Sequence, residues 1–419
     1  MKVLLINTFE TQGGAAIACK RLYTALNKRE ELEVGLLVNE RQTNDIGIVE
    51  VADTKLKKFI RKYRFFLEKG FFMLKEVSKK ERFSFSTAFL GSDISKHSLV
   101  QEADILHIHW TNNSFLSHKN LEQLIRLNKP TVITMHDMWY FTGGCHYAGE
   151  CTGFMRDCGN CKFLKNPKAH DLSCQIKKRK EQIYAPNITF VACSTWLADV
   201  AKTSSLLRTS KVMSIPNPID TSVFTKQNKL ESRSRFNLPV DKTLILYVAA
   251  KVDDERKGYK YLAAALKKLH DSDSTLKKNL EVIVMGNVKD REEIDFHFPT
   301  HFVGSLSKTD AIVSCYNAAD LFIAPSLEDN LPNTIIESMA CGTPVVAFNT
   351  GGIPDIIDHK NNGYLAEYKS AEDLINGIIW IISEPEISNK CISKIENTFS
   401  ENLVAEKFIQ LYSQLKTKI

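Results

Sequence analysis

The sequence predicts an α/β fold of two Rossmann-like domains whose parallel sheets face each other across a cleft. Short apolar runs alternate with helical patterns along most of the chain, which is typical of βαβ units and parallel sheets. Each run is apolar almost without interruption, as expected of strands that helices cover on both faces. The runs form two groups, and residues 215–220, which contain two prolines, separate them.

Eight apolar runs are the predicted strands. The first group comprises residues 3–6, 105–108, 132–135 and 190–193, and the second comprises residues 244–248, 282–285, 321–324 and 345–348. Apolar residues at helical spacing predict helices over 17–26, 121–127, 259–269 and 331–340.

The connector between the two groups sets the predicted domain boundary. Pro216 and Pro218 favour an extended segment, because proline fixes φ and restricts the residue before it. We therefore predict a first domain at residues 1–212, a second at 213–395 and a C-terminal helix within 396–419.

Composition and charge exclude several classes of protein. With 43% hydrophobic and 25% charged residues, the 419-residue chain has the composition of a globular protein, and no apolar run reaches the roughly 18 residues of a membrane span. The N-terminus predicts a strand rather than a signal peptide, which favours a cytoplasmic protein. The net charge of +6 is concentrated in residues 55–82, where eleven Lys or Arg face three Glu, so a uniformly basic nucleic-acid binder is not indicated.

Polar residues follow the predicted strands of the second group, where ligands of open parallel sheets bind. Lys251 and Lys257 stand on either side of the turn that precedes the helix 259–269. Two ammonium groups beside a helix N-terminus suit a diphosphate, because the helix dipole adds to their charge. The alternative is a pair of solvated lysines in a loop.

Two carboxylates, Asp329 and Glu337, lie eight residues apart after another strand. Both could point into a cleft, and a carboxylate suits a ribose diol because it accepts two hydroxyl hydrogen bonds. The alternative is a helix N-terminal Asp with one exposed Glu.

Three histidines lie in or just after strands of the first group. His136 follows an apolar run directly, which makes it the best candidate for a site residue. We expect His107 and His109 to face opposite sides of the sheet, so that at most one of them reaches the site.

Four of the ten cysteines fall within seventeen residues, in a Cys-rich insert at 142–161. Cys158 and Cys161 have the spacing of metal ligands, and Cys145 and Cys151 could complete a tetrahedral zinc site. The alternative is four free thiols, since a reducing cytoplasm disfavours disulfides.

The basic segment 55–82 also contains many aromatic and aliphatic residues, and it is predicted to be helical. Such a segment suits contact with a membrane surface. The alternative is an ordinary helix that packs on the first domain and exposes its lysines.

Residues 326–344 resemble the signature of retaining glycosyltransferase family 4, the group 1 glycosyltransferases of GT-B fold. That signature is an acid, seven residues, a Glu and then an Ala-Cys-Gly-x-Pro turn. The resemblance covers most of the chain except about residues 40–100, and the insert resembles the bacterial colanic-acid or exopolysaccharide type. Further matching motifs are Gly13-Gly14, His109, Thr134-Met135-His136-Asp137, Ile215-Pro216-Asn217, Lys257-Gly258, Gly351-Gly352-Ile353-Pro354 and Asn362-Gly363.

The resemblance implies a role for each matching residue. Glu337 would bind the ribose hydroxyls, Asp329 would face the donor sugar, and His136 would lie near the reacting sugar. Lys251 and Lys257 would hold the diphosphate, and Lys257 would stabilise its growing charge. Gly14 and Asn330 complete the implied donor-binding set. The sequence departs from the family in Asp329, where Glu is usual, and in Lys251, where Arg is usual.

The implied function is that of a hexosyltransferase in bacterial surface polysaccharide biosynthesis. It would move a sugar from a UDP- or GDP-linked donor to a glycan acceptor, expected to be lipid-linked, with retention and without a catalytic metal or other cofactor. The first domain would hold the acceptor, the second the donor, and the last helix would return to the first domain. The enzyme would act in the cytoplasm, on the inner face of the cell membrane, and bind no nucleic acid. Two alternatives are a nucleotide-sugar epimerase of GT-B fold and a zinc-dependent nucleic-acid binding module.

Overall fold

The computed structural model describes residues 1–251, 254–272, 275–288, 291 and 294–417, apart from the side chains at 250, 251 and 275. It divides into two compact units. Unit 1 comprises Met1–Pro218 and the C-terminal stretch from Val404, and unit 2 comprises Ile219–Leu403. Within the described ranges, no helix combines the length and apolarity that a membrane crossing needs.

Unit 1 is built on a parallel sheet of seven strands in the order β3-β2-β1-β4-β5-β6-β7. Its strands are β1 (Lys2–Phe9), β2 (Glu33–Glu40), β3 (Ile48–Glu50), β4 (Ile105–Ile108), β5 (Thr131–Met135), β6 (Ile188–Ala192) and β7 (Lys211–Ser214). Its first six helices are α1 (Gly14–Asn27), α2 (Lys55–Met73), α3 (Ser98–Glu102), α4 (His118–Ile125), α5 (Leu172–Ile183) and α6 (Thr195–Thr203).

Unit 2 is built on a second parallel sheet, of six strands in the order β10-β9-β8-β11-β12-β13. Its strands are β8 (Thr243–Lys251), β9 (Leu280–Asn287), β10 (Thr300–Gly304), β11 (Leu321–Ala324), β12 (Val345–Phe348) and β13 (Tyr364–Ala366). Its helices are α7 (Lys229–Arg235), α8 (Tyr259–Asp271), α9 (Thr309–Ala318), α10 (Asn333–Ala340), α11 (Ala371–Ser383) and α12 (Ile387–Thr398), and α13 (Glu401–Lys416) follows them.

Both faces of the first sheet are covered by apolar side chains. Val3 and Leu5 of β1 belong to one buried cluster, and Leu4 and Ile6 belong to another. Because alternate residues of a strand point to opposite faces, this division shows a core on each side of the sheet. The runs are therefore apolar throughout because the strands are covered on both faces, as predicted. The prediction of two parallel-sheet α/β units is confirmed.

The unit boundaries differ from the predicted domain boundaries. Residues 213–218 fall in unit 1 because β7 pairs in parallel with β6 and extends the first sheet. Helix α12 and residues 399–403 fall in unit 2, and the chain enters unit 1 only at Val404. Val404, Phe408 and Tyr412 of α13 are buried in the same cluster as Val3 and Leu5, which fixes this helix to the first sheet.

Candidate functional site

The carboxyl edge of the second sheet has the topology of a ligand site. β8 and β11 are neighbours in the sheet, and the chain leaves them toward opposite edges, so their following loops diverge and leave a crevice. Most of the predicted donor-binding residues lie in these loops or in the helix that follows β11.

Lys257 and Asp329 come from different loops of this edge and form an ion pair. Lys257 ends a short 3₁₀ turn after β8, and Asp329 lies in the loop after β11. The Lys257 ammonium donates to Asp329 Oδ2 over 2.8 Å. Both side chains are partly exposed, at 30% and 17%, so an anionic ligand can reach the ammonium and its carboxylate partner.

Backbone contacts between the loops set the positions of these two residues. Gly258 has φ 72°, and a Cβ there would collide with the carbonyl oxygen of Pro325. Gly351 has φ 57°, and a Cβ there would collide with the carbonyl oxygen of Asp329. Only glycine allows both the left-handed backbone and this close approach, which explains the Lys257-Gly258 and Gly351-Gly352 motifs in structural terms.

Glu337 lies in α10 with only 8% of its surface exposed. Its carboxylate accepts a hydrogen bond from the hydroxyl of Tyr316 in α9, over 2.9 Å. Burial and the Glu337 carboxylate raise the pKa of Tyr316, so the phenol stays a neutral donor. Tyr316 was not predicted, because nothing in the local sequence links it to a carboxylate 21 residues later. Asn330 is also buried, at 3% exposure.

The side chain of Lys251 lies outside the described residues, so the predicted role of this lysine stays a prediction. Its backbone is described: β8 ends at Lys251, which pairs with Asn287 of β9. The position at the carboxyl end of a central strand is the one that the sequence indicated.

In unit 1, Gly14 begins α1 just after β1, the central strand beside β4. Gly13 precedes it at the N-cap with φ 90°, a conformation that favours glycine. No side chain caps this helix end. The predicted Gly13-Gly14 pair therefore lies at the carboxyl edge of the first sheet.

His136 follows β5 and is hydrogen-bonded on both ring nitrogens. Its Nε2 lies 3.0 Å from Nδ1 of His109, and its Nδ1 lies 3.4 Å from the Cys193 sulfur. Burial lowers the pKa of His136 to about 4, so the imidazole is neutral near pH 7. A neutral ring offers one donor and one acceptor, and both are engaged by His109 and Cys193, so His136 would contact a sugar hydroxyl only by exchanging one of these partners.

The expectation that His107 and His109 face opposite sides of the sheet was wrong. Their ring centroids are only 4.3 Å apart, because residues two apart in a strand share a face. His107 lies between Tyr412 of α13 and Thr134 of β5, with 2.7 Å to each hydroxyl. It is a packed structural residue, whereas His109 contacts His136.

A second polar network, which was not predicted, surrounds Asp137. This partly buried carboxylate accepts hydrogen bonds from Trp110 Nε1 over 3.0 Å and from the Trp139 backbone over 2.8 Å. His146 Nδ1 lies 2.7 Å from Asp137, and His146 Nε2 lies 2.9 Å from the Ser86 hydroxyl. The network ties the Cys-rich insert to the carboxyl end of β5.

The four predicted metal ligands, Cys145, Cys151, Cys158 and Cys161, line one cavity of about 20 Å³. Burial raises the pKa of Cys145 to about 12 and that of Cys161 to about 11. Among the residues that the structure describes, no three or more His, Cys, Asp or Glu side chains are arranged to hold a metal ion. The zinc site therefore stays a prediction.

Of the basic segment 55–82, which was predicted to be helical, Lys55–Met73 form α2 and a separate 3₁₀ turn follows at Lys79–Phe83. The exposed side of α2 carries both apolar side chains and lysines. Glu68 and Phe72 are buried, and Phe72 stacks on Phe85 with ring centroids 4.9 Å apart. On the opposite side, Phe59 is 67% and Phe66 is 68% exposed. Other exposed apolar side chains of the segment are Leu56, Ile60, Tyr63, Leu67, Phe71, Met73 and Leu74.

Comparison with known proteins agrees with this architecture. Residues 228–398 match the family model described as glycosyl transferases group 1. The uncharacterized glycosyltransferase MJ1607 of Methanocaldococcus jannaschii is 23% identical over 424 residues, which cover 96% of this chain and 94% of that protein.

Two other relatives match over a shorter stretch. The lipopolysaccharide 1,2-N-acetylglucosaminetransferase of Salmonella typhimurium is 27% identical over 48% of this chain and 56% of its own length. The N,N'-diacetylbacillosaminyl-diphospho-undecaprenol alpha-1,3-N-acetylgalactosaminyltransferase of Campylobacter jejuni is 22% identical over 43% of this chain and 47% of its own length. The match thus spans about half of each of these two proteins.

Solved structures share the fold over the whole chain. Sucrose-phosphate synthase from Thermosynechococcus elongatus superposes with a TM-score of 0.68 at 18% identity, covering 100% of both chains. Anabaena Alr3699/HepE in complex with UDP-glucose superposes with a TM-score of 0.63 at 14% identity, covering 99% of this chain and 100% of that one. The chain therefore has the GT-B fold. Within it, residues 228–398 form an enzyme domain of the group 1 glycosyltransferase type.

Proposed function

We propose that the chain transfers a hexosyl group from a UDP- or GDP-linked sugar to a glycan acceptor, with retention of the anomeric configuration. The observation that carries this proposal is the Lys257–Asp329 ion pair, which lies at the carboxyl edge of the unit 2 sheet within the matched family domain. In the same domain, Glu337 is buried and oriented by Tyr316. A nucleoside diphosphate is bound by a cation at its phosphates and by an oriented carboxylate at its ribose hydroxyls.

Each of these groups has a chemical task in the proposed reaction. The negative charge on the diphosphate grows as the bond to the sugar breaks, and the Lys257 ammonium stabilises that charge. The N-terminus of α8 begins at the next residues, so the positive end of its dipole adds to the field. Glu337 accepts hydrogen bonds from the ribose, and a diphosphate oxygen takes the proton of the attacking acceptor hydroxyl. Asp329 holds Lys257 in place before the donor enters.

We further propose that the transfer uses no metal or other cofactor. In this proposal, Lys257 and the N-terminus of α8 supply the positive field that a divalent cation would otherwise supply. Such a site should work in the presence of a metal chelator.

The acceptor in this proposal is a lipid-linked glycan of a bacterial surface polysaccharide, as the colanic-acid-type insert at 142–161 suggests. Support comes from the relatives, because the name of the Campylobacter jejuni protein specifies a diphospho-undecaprenol acceptor and that of the Salmonella typhimurium protein specifies lipopolysaccharide. The acceptor binds to unit 1 in this proposal, where His136 and the N-terminus of α1 lie at the carboxyl edge of the sheet.

Helix α2 would hold the enzyme on the membrane that contains this acceptor. Its exposed apolar side chains recur at the helical spacing of Leu56, Phe59, Tyr63 and Phe66, so they form one stripe along the helix. Lys62 is also exposed and flanks this stripe. Exposed aromatic residues with flanking lysines suit the headgroup region of an anionic membrane. In this proposal, the membrane contact is made on the cytoplasmic face.

The two alternatives account for fewer observations. A nucleic-acid binding module would explain the basic segment but not the family match in unit 2. A nucleotide-sugar epimerase would share the GT-B fold, but it would not explain why residues 228–398 match a model that describes glycosyl transferases. An epimerase would also change its nucleotide sugar with no acceptor present.

The first test is a panel of nucleotide sugars in a thermal-shift assay with the full chain. A ligand that binds only the native state adds about 2.7 kcal/mol of stability at a hundred times its Kd, so the matching donor should raise Tm clearly. Glu337→Gln should weaken the binding of that donor about ten- to a hundredfold, the equivalent of a lost hydrogen bond to a charged group. Glu372→Gln, an exposed residue of α11, is the matched control.

Two outcomes of this test count against the proposal. If no nucleotide sugar or nucleoside diphosphate changes Tm, unit 2 is not a donor site. If Glu337→Gln binds the donor as tightly as the unchanged chain, the ribose contact assigned to Glu337 is wrong.

A further inference from the structure

The Cys-rich insert contains a site that the transfer reaction does not use. Cys145, Cys151, Cys158 and Cys161, which we call the four-cysteine cluster, line one cavity of about 20 Å³. A cavity needs about 10–15 Å³ to hold a water molecule, so this one has room for a single small particle. Four sulfur ligands around one such space are the donor set of a structural zinc site.

The backbone around the cluster is tightly fixed. Cys158, Gly159 and Asn160 are consecutive residues with positive φ, at 58°, 89° and 48°. Gly159 N–H donates to the Ser173 hydroxyl over 3.0 Å, and Cys161 N–H donates to Asp171 over 2.8 Å. Left-handed conformations cost energy outside glycine, so this loop is held in an unusual shape that brings its two cysteines to the cavity.

Backbone N–H groups also point at the sulfur atoms. Gly153 N–H approaches the Cys151 sulfur at 3.5 Å. Hydrogen bonds from the backbone at Gly143 and Phe163 act on Cys158 and Cys161. Burial nevertheless raises the pKa of both thiols, so these contacts orient the sulfur atoms without ionising them in the metal-free protein.

Two buried lysines of α5 lie beside the cluster. The Lys177 ammonium donates to the carbonyl oxygens of Phe154 and Arg156, and the Lys180 ammonium donates to those of Trp139 and Thr142. Neither lysine forms an ion pair with a carboxylate of the described residues. Burying a charge without a counter-charge is costly, and burial accordingly lowers the pKa of both lysines, that of Lys180 to about 7. An anionic complex in the neighbouring cavity would favour their charged forms.

We propose that the four-cysteine cluster binds one zinc ion as four thiolates, and that Lys177 and Lys180 balance the charge of the complex. Four thiols release four protons to solvent and coordinate one Zn²⁺, with no change in oxidation state. The complex carries two negative charges, and the two ammonium groups carry two positive ones. Because the thiols are not arranged as a ligand set in the described structure, their side chains must turn into the cavity as they ionise.

The site would fasten the insert to the sheet. The Lys180 ammonium donates to the carbonyl oxygen of Trp139, which follows β5, and to that of Thr142, the first residue of the insert. His146 of the insert contacts Asp137 just after β5. Zinc would close this region as a disulfide closes a small domain, but without needing an oxidising compartment.

Metal analysis of the full chain tests the proposal directly. Protein produced with added zinc and purified without chelator should contain about one zinc per chain. The double variant Cys158→Ser/Cys161→Ser should contain none. Cys174→Ser, which changes a buried cysteine of α5 that does not line the cavity, is the matched control and should keep the metal.

A second measurement covers the case in which the double variant fails to fold. The unchanged chain, stripped of metal and titrated with Co²⁺, should show the thiolate-to-cobalt charge-transfer absorption of a tetrahedral sulfur site. Lys180→Met should lose zinc to a chelator at least severalfold faster than Lys178→Met, which changes an exposed lysine of the same helix.

The proposal is overturned if the unchanged chain carries no zinc and gives no thiolate absorption with Co²⁺. It is also overturned if intact-mass measurement shows the four cysteines joined as disulfides. The charge-balance part fails if the two lysine variants release zinc at the same rate. None of these outcomes depends on whether the chain transfers sugars.

Discussion

At the scale of single residues, the ion pair between Lys257 and Asp329 is the most informative contact in the described site. The family resemblance relates each residue to the donor separately, the lysine to the diphosphate and the acid to the sugar. The structure joins them over 2.8 Å, so the carboxylate also positions the lysine. An ammonium held in place before the reaction needs no reorganisation when charge develops, which is how electrostatic catalysis works best.

Removing the Lys257 ammonium should therefore lower turnover more than donor binding. We expect Lys257→Ala to reduce kcat about 10²- to 10³-fold, the range seen when one such stabilising donor is removed, with a smaller change in KM. Lys267→Ala, at an exposed position of α8 two turns from its N-terminus, is the control and should leave both constants unchanged. A variant of Lys257 with normal kcat and a raised KM would mean that the lysine only binds the ground state.

Some of these residue contacts were predictable and others were not. The proximity of Lys257 and Asp329 follows from the rule that loops after neighbouring parallel strands share an edge. The hydrogen bond from Tyr316 to Glu337 joins two helices and leaves no local pattern in the sequence. The contact between His107 and His109, by contrast, was predictable from the sequence, because residues two apart in a strand share a face.

At the scale of elements, α2 is unusual because its solvent-facing stripe is apolar. The helix packs on unit 1 through Phe72, and Arg61 forms an ion pair with Glu50 at 2.8 Å. The arginine is thus part of the structure and not free for a lipid headgroup. The outward stripe that contains Phe59 and Phe66 has no packing role among the described residues, and a membrane surface would remove it from water.

We expect the full chain to co-sediment with anionic vesicles, to stay in solution with neutral vesicles, and to be released by salt. Changing Phe59, Tyr63 and Phe66 to Ser together with Lys55 and Lys62 to Gln should abolish this binding. Lys178→Gln/Lys407→Gln removes the same charge at exposed positions elsewhere and should bind as the unchanged chain does. Equal sedimentation of all three proteins would show that α2 is an ordinary packed helix.

The strands divide into those that the sequence could predict and those that it could not. All eight apolar runs are strands, because central strands are covered on both faces and must be apolar throughout. Five further strands were missed, and four of them, β3, β7, β10 and β13, are the edges of the two sheets. An edge strand is short and partly exposed, so its sequence has no continuous apolar run.

At the scale of the whole molecule, two parallel sheets of similar build account for the GT-B fold, and the switch point of each sheet marks a candidate binding edge. The family match lies in unit 2, which also contains the longest motif recognised in the sequence, residues 326–344. The acceptor side is harder to predict, because glycan recognition depends on loop shape rather than on a short motif.

The stereochemistry of the product tests the central claim most directly. The full chain would be incubated with its matching nucleotide sugar and a lipid-linked acceptor, with and without EDTA, and the anomeric configuration of the new bond would be determined by NMR. We predict that an α-linked donor gives an α-linked product, that nucleoside diphosphate is released only with acceptor, and that EDTA does not slow the reaction. A β-linked product, or a nucleotide sugar that is altered without any acceptor, would contradict a retaining glycosyltransferase.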